Sequence, residues 1–228
     1  MVSILGHRGA PDDVRENTLA AFVAARRLGA DGVELDVRRT ADGALAVHHD
    51  AEIPSLGPVA ELTVAQLPTY VPLLDAAMEA CDGMVVNIEI KNLPTEPGFD
   101  ADGTVATTVA NLVMEQRFAT KVVISCFHLG TIDAVKAAEP SLPTGWLTVA
   151  RYDQHAALAT AIEHGHSALH PQHEGMSADL VAEAHGAGLD VATWTVDDSD
   201  RLREVAAMGV DTVITNRVAV ALAVLRAA

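Results

Sequence analysis

Gly32-Val33-Glu34-Leu35-Asp36-Val37-Arg38 is the stretch whose reading decides the fold. Apolar residues and acids alternate in it, as they do in a β-strand, where successive side chains leave on opposite faces. Glu34 and Asp36 therefore share one face, while Val33, Leu35 and Val37 share the other and pack. A second stretch, Asn87-Ile88-Glu89-Ile90-Lys91, repeats the arrangement and puts Glu89 and Lys91 together. Buried charge is costly unless it is paired or holds a metal. Three acids and a lysine in two apolar strands call for a cation and an anion, which is the pattern of an active site.

Outward from these strands, short apolar runs alternate with longer helical patterns along the whole chain. The sequence predicts strands over Ser3–His7, Gly32–Arg38, Val85–Lys91, Lys121–Cys126, Thr144–Val149, Ala168–Pro171, Asp190–Thr195 and Asp211–Thr215. Between them, Ala, Leu, Val and Glu recur at helical spacing over Thr18–Leu28, Pro72–Cys81, Gly103–Gln116, Leu129–Ala138, Gln154–His164, Ala178–Ala187, Asp200–Met208 and Val218–Ala227. Asn17, Ser177 and either Ser199 or Asp200 stand where N-caps belong, and Gly29, Gly165, Gly188 and Gly209 where left-handed C-caps belong. Leu28-Gly29-Ala30-Asp31-Gly32-Val33 and Met208-Gly209-Val210-Asp211-Thr212-Val213 read as one helix-to-strand connection used twice. Eight strands, each followed by a helix, predict a parallel (β/α)8 barrel occupying residues 1–228 as one domain. A doubly wound open sheet is disfavoured, because no glycine-rich phosphate loop follows the first strand. Thr40–Asp50 contains an Asp42-Gly43 turn and then a short extra strand, inserted after the second barrel strand.

Composition narrows the partners. The chain has 228 residues, half of them hydrophobic but only 4% aromatic, so Ala, Val and Leu must fill the core. Its 31 acidic against 15 basic residues give a formal charge of −16, which argues against nucleic acid or an anionic membrane as partner. Cys81 and Cys126 lack a CxxC spacing and read as small buried hydrophobes. The chain enters a strand at Val2 with no charged-then-apolar leader and no 18-residue apolar run, so the expectation is a cytoplasmic protein without stable membrane insertion, monomeric or homodimeric.

In such barrels the C-terminal strand ends and the loops after them build the site. That rule gathers His7 and Arg8, Glu34 and Asp36, His49 and Asp50, Glu89 and Lys91, Ser125, His170 and His173, Trp194, and Thr215 with Asn216. Glu34 and Asp36 could be ion-paired with Arg8 and Lys91, or could join Glu89 in an oxygen-ligand site suited to Mg²⁺, Ca²⁺ or Mn²⁺. His7 alone would be a core or capping histidine. Next to Arg8 and opposite a second histidine on the inserted strand, it becomes an acid/base candidate. His48 and His49 alternate faces, so only one can enter the site. Asn17 reads as a helix cap or a substrate contact, and Trp194 as rim packing or a stacking surface for the substrate's alcohol. His128, His155, His164, His166 and His185 lie away from strand ends and read as solvated.

Charge counting points to a phosphodiester. Three carboxylates with one divalent cation leave −1, and Arg8 and Lys91 bring the site to +1, which a singly charged phosphodiester neutralises. Nothing resembles a serine or cysteine nucleophile with its base. The set His7-Arg8-Gly9, Glu16-Asn17-Thr18, Glu34-Leu35-Asp36-Val37, Asp42-Gly43, His49-Asp50 and Asn87-Ile88-Glu89-Ile90-Lys91, in this order and spacing, resembles the glycerophosphodiester phosphodiesterases. Ser125-Cys126-Phe127, Ala192-Thr193-Trp194-Thr195-Val196 and Ile214-Thr215-Asn216 are similar to that family's last strands, so the resemblance spans essentially the whole chain.

The resemblance implies a (β/α)8 barrel that hydrolyses glycerophosphodiesters to glycerol 3-phosphate and an alcohol. It puts Glu34, Asp36 and Glu89 at the ligand positions for one divalent cation, Mg²⁺ or Ca²⁺, His7 and His49 at the catalytic pair, and Arg8 and Lys91 at the phosphate. Trp194 joins the substrate contacts, with Glu16, Asn17, Asp50, Ser125 and His170 in support. The chain departs from the family at Ala51–Val59, a short segment with no Arg and no Asn, which implies a more open pocket on that side. Two rival readings are a phospholipase-D-like or phosphoinositide-cleaving relative that forms a cyclic phosphate, and a non-catalytic phosphate-binding barrel. The latter needs no acid/base pair.

Overall fold

The computed structural model describes residues 1–12, 14–116 and 122–226. Eight parallel strands close a barrel in the order β1 (Ser3–His7), β2 (Gly32–Arg39), β6 (Val85–Ile90), β7 (Val122–Cys126), β8 (Thr144–Thr148), β9 (Ala168–Pro171), β10 (Asp190–Thr193) and β11 (Thr212–Thr215). Closure is the pairing of β1 with both β2 and β11. The inserted strand β3 (Leu45–Val47) lies antiparallel on β2, shorter than the segment that predicted it. After it, β4 (Glu52–Ile53) and β5 (Gly57–Pro58) form a two-stranded ribbon from the shortened 51–59 segment.

The helices fall where the periodicity places them: α1 (Leu19–Leu28), α2 (Leu74–Ala80), α3 (Thr104–Glu115), α4 (Leu129–Ala138), α5 (Gln154–Glu163), α6 (Ala178–Gly186), α7 (Ser199–Met208) and α8 (Val218–Arg226). The predicted ends Lys121 and Ala227 lie outside the described residues. Two caps shift by one residue. Thr18, not Asn17, caps α1 by accepting from the Ala21 amide, and Asp198, rather than Ser199 or Asp200, caps α7. Ser177 caps α6 as expected.

The repeated helix-to-strand phrase is one device built twice. Gly29 and Gly209 close their helices at φ 93°, a conformation open to glycine. Asp31 then accepts from the amide of Ile4 in β1, and Asp211 from the amide of Val191 in β10, each at 2.8 Å. Each aspartate thus ties its own strand to the second residue of the strand beside it.

On β2 the outward residues Val33, Leu35 and Val37 are fully buried with Phe22 of α1 and Met78 of α2. Such a side chain gains about 1.5–3 kcal/mol over exposure, which offsets the cost of lodging two carboxylates on the strand's other face. Cys81 and Cys126 are free and buried, and burial pushes both thiols up to about 12. Among the described residues, no helix is long and apolar enough to cross a membrane.

Candidate active site

Parallel register lays the acids in rows across the barrel. His7 of β1 stands level with Glu34 of β2, and two residues further along Asp36, Glu89 and Ser125 stand level on β2, β6 and β7. One oxygen from each of Glu34, Asp36 and Glu89 lies within 4.8 Å of the others, and all three residues are buried. Glu34 Oε1 and Asp36 Oδ1 have no hydrogen-bond partner. Buried, unpartnered carboxylate oxygens facing one another are what a hard divalent cation satisfies, so the donor set fits such an ion.

The titration behaviour follows from the crowding. Burial, then the charges of Asp36 and Glu89, push Glu34 well above the ordinary glutamate range. Burial also raises Glu89, against the pull of Lys91. Burial opposes ionisation of Asp36 too, but Lys91 and Arg8 outweigh it and hold that carboxyl below its ordinary value. Lys91 Nζ donates to Glu89 Oε1 at 2.7 Å and sits 3.7 Å from Asp36 Oδ1, and Arg8 Nε sits 3.1 Å from Asp36 Oδ2. Two cations cannot balance three buried carboxylates, and Glu34, Asp36 and Glu89 together could hold a divalent ion that would supply the missing positive charge.

A tight turn after β1 delivers Arg8. The Gly9 amide donates to Gly6 O, and a Cβ on Gly6 would lie 2.0 Å from Gly9 O, so position 6 has no room for a side chain. Arg8 itself adopts a left-handed φ of 55°, which aims its amide at Glu34 Oε2, 3.0 Å away, while its guanidinium reaches Glu16 Oε1. Asn17, also left-handed, is buried and donates to Asp36 Oδ2 at 2.7 Å; its side chain holds a site carboxylate, and capping passes to Thr18.

The two histidines differ in setting. Burial, then the charge of Arg8, hold His7 below its ordinary pKa. His7 Nδ1 lies 2.7 Å from Asn216 Oδ1, and the amide nitrogen of Asn216 donates to Asp197 Oδ2. That assignment makes Asn216 Oδ1 an acceptor, so the proton rides on His7 Nδ1. Nε2 is left as the lone-pair atom, 3.9 Å from Glu34 Oε2. His49 follows β3, two-thirds buried, with Nδ1 2.7 Å from Asp50 Oδ1. By the same reasoning its Nε2 is the free nitrogen.

The structure brings most of the predicted residues to this mouth, but not all. Ser125 is buried beside Glu89 with its hydroxyl unpartnered. Trp194 donates from Nε1 to His170 O and meets Phe127 edge to face at 5.4 Å, and Lys91 Nζ lies 5.8 Å from the Phe127 ring. His170 does not reach the mouth: it lines the closed half of the barrel interior with Leu5, Val85 and Ala192, and burial lowers its pKa to about 4. His128, His155, His164 and His185 keep at least partial exposure, whereas His166 is buried, contrary to the expectation that it is solvated.

Two positioning residues, Arg38 and Asp197, escape the sequence pattern. Arg38 continues the alternation of Glu34 and Asp36, so its inward face was legible. Buried, it donates from Nε to His49 O and from Nη2 to Glu96 Oε2, tying the inserted strand to the loop after β6. Asp197 holds Asn216 through both amide groups across 19 residues, a tertiary pairing with no local signal.

A (β/α)8 barrel whose mouth joins three carboxylates, two cations and two histidines is that of a hydrolase acting on phosphate esters. Residues 7–220 match the profile of the glycerophosphoryl diester phosphodiesterase family. A glycerophosphodiester phosphodiesterase of Caldanaerobacter subterraneus subsp. tengcongensis is 30% identical over 234 residues, covering 93% of each chain. A crystal structure of a putative glycerophosphoryl diester phosphodiesterase from Silicibacter pomeroyi superposes with a TM-score of 0.89 at 25% identity, covering 99% of this chain and 93% of that one. An Oleispira antarctica phosphodiesterase, solved in complex with the product sn-glycerol-3-phosphate, has a TM-score of 0.88 at 20% identity, covering 99% and 97%. The chain belongs to the glycerophosphoryl diester phosphodiesterase family, a metal-dependent family, and its activity is hydrolysis of glycerophosphodiesters.

Proposed function

We propose that Glu34, Asp36 and Glu89 together hold one Mg²⁺ or Ca²⁺, that Arg8 and Lys91 bind the phosphate, and that His7 and His49 move the protons. The observation that carries this reading is the pair of unpartnered carboxylate oxygens, on Glu34 and Asp36, facing Glu89 beside the partly buried cations Arg8 and Lys91. A cation bound there would polarise the non-bridging phosphate oxygens. Arg8 and Lys91 steady the charge that develops on the phosphoryl group, from fixed positions that need no rearrangement. His7 Nε2, neutral because burial and Arg8 disfavour its charged form, takes a proton from the attacking water as its oxygen bonds to phosphorus. His49, held by Asp50 at Nδ1, acts as the imidazolium and gives the proton on Nε2 to the departing alkoxide. Phe127 and Trp194 form an apolar wall against which the alcohol portion rests.

The substrate is a small or lipid-derived glycerophosphodiester, and the products are glycerol 3-phosphate and an alcohol. The short β4–β5 ribbon replaces the usual longer insertion, so we expect a broad range of head groups. Residues 1–228 act as one domain, consistent with the barrel closing between its first and last strands. The free buried cysteines suit a reducing, cytoplasmic compartment, with the chain as monomer or homodimer. Turnover of glycerophosphocholine, -ethanolamine, -glycerol and -inositol, side by side with and without EDTA, tests this. The reading predicts several head groups turned over and none in chelator; turnover undiminished in EDTA would overturn it.

A further inference from the structure

A second cluster of ligand atoms lies at the other end of the barrel. His164 ends α5 and His166 leads into β9, separated by Gly165 at φ 73°, and both face Asp133 of α4. Helix-to-strand loops of this kind sit on the face opposite the catalytic mouth. His164 Nδ1 lies 2.9 Å and His166 Nε2 3.1 Å from the same oxygen, Asp133 Oδ1, and all three ligand atoms lie within 4.8 Å of one another.

We propose that Asp133, His164 and His166 form a second metal site, for Zn²⁺ or a similar borderline cation, that clasps α4 to the α5–β9 connection. The His166 side chain has no solvent exposure, and its Nε2 aims at the cluster without a hydrogen-bond partner, out of line with the nearby carboxylate. Its other nitrogen, Nδ1, is 2.9 Å from the buried Thr144 hydroxyl. That contact is the outer-shell hydrogen bond that fixes a ligating imidazole with its free nitrogen towards the ion. Two imidazole nitrogens and one carboxylate oxygen this close together offer three corners of a ligand set. Around a tetrahedral Zn²⁺ with bonds of about 2.0–2.1 Å, ligand atoms stand about 3.3 Å apart, so the two nitrogen-to-oxygen sides, 2.9 and 3.1 Å, need only a few tenths of an ångström of opening.

The donor types separate the two sites. Two nitrogens and one oxygen suit Zn²⁺, whereas the three carboxylates of the mouth suit Mg²⁺ or Ca²⁺. Asp133 and His164 are partly exposed, so an ion can enter from solvent and keep a water in its fourth position.

The test uses the full chain, stripped with EDTA and then saturated with Mg²⁺. Zn²⁺ is titrated by calorimetry and counted by elemental analysis, on wild type and on His164→Ala and Asp133→Ala, both at partly exposed positions. Each variant should bind one Zn²⁺ fewer per chain than wild type and keep its Mg²⁺-supported phosphodiesterase activity. Co²⁺ should give a tetrahedral visible spectrum in wild type that both variants lose. Equal Zn²⁺ counts in wild type and either folded variant would overturn the site, whatever the mouth is found to bind.

Discussion

Replacing Asn216 with Leu removes the acceptor that holds the His7 proton on Nδ1 while leaving every ionisable group of the mouth in place. The lost contact is a 2.7 Å hydrogen bond to a largely buried ring, and the ring's N–H is left without a partner. A net hydrogen bond is worth about 0.5–1.5 kcal/mol and an unsatisfied buried donor costs about 1–3 kcal/mol. The ring can recover part of this by turning or by moving its proton to Nε2, but either change removes the base. A loss of about 2–3 kcal/mol corresponds to roughly 30–150-fold in rate. Because Asn216 is not placed against the phosphate, the loss belongs in kcat, with KM nearly unchanged. Steady-state hydrolysis of glycerophosphocholine, coupled to oxidation of the released glycerol 3-phosphate, measures both. Unchanged kcat, or a loss confined to KM, would refute the assignment of His7 Nε2 as the free nitrogen. Asp197→Ala should act in the same direction but more weakly, since Asn216 keeps its place in the chain while losing its anchor.

A substrate with a good leaving group, such as a p-nitrophenyl phosphodiester, should restore a His49→Ala enzyme far more than a His7→Ala enzyme, because only the acid's work is then dispensable; the gap should approach the 10²–10⁴-fold that such groups contribute, and rescue of His7→Ala alone would reverse the roles. Glu34→Gln should lower activity by about 10³-fold, yet raise the melting temperature of the metal-free protein, since Asp36 and Glu89 repel the charge it removes. Differential scanning fluorimetry in EDTA checks the second half. His170 makes the fold acid-sensitive: its pKa falls from about 6.5 unfolded to about 4 folded, so the unfolded chain binds the extra proton and stability drops as pH falls from about 6.5 to 4. The shift amounts to about 3 kcal/mol, and urea unfolding across that window should show a shallower pH slope in His170→Asn than in wild type.

The sequence carried the barrel and most of the mouth because both rest on periodicity. Alternation alone paired Glu34 with Asp36 and Glu89 with Lys91, and the parallel register then set the two strands level. The same alternation reached Arg38, but an arginine near a strand end looks like any solvated one until the Glu96 loop covers it. Asn17 shows where local reasoning stops. Its place before α1 matched a cap, but its left-handed backbone turns the side chain towards Asp36, and only the neighbouring strand reveals that partner. His166 failed for a similar reason: Gly165-His166-Ser167 reads as a polar loop, although the chain is already entering the wall of the barrel there. His170 obeyed the strand-end rule in number but not in depth, since β9 is only four residues long and its third residue still faces the barrel interior.

The mouth as proposed performs a metal-dependent hydrolysis in which water, not a hydroxyl of the substrate, completes the cleavage. Phosphorus-31 NMR of glycerophosphocholine incubated with the full chain tests it most directly, because it identifies the phosphorus product while turnover is under way. With Mg²⁺ or Ca²⁺ the signal should move to glycerol 3-phosphate alone, and in EDTA it should not move. Accumulation of a cyclic glycerophosphate that this enzyme does not open, or conversion at full rate in EDTA, would rule out metal-dependent attack by water.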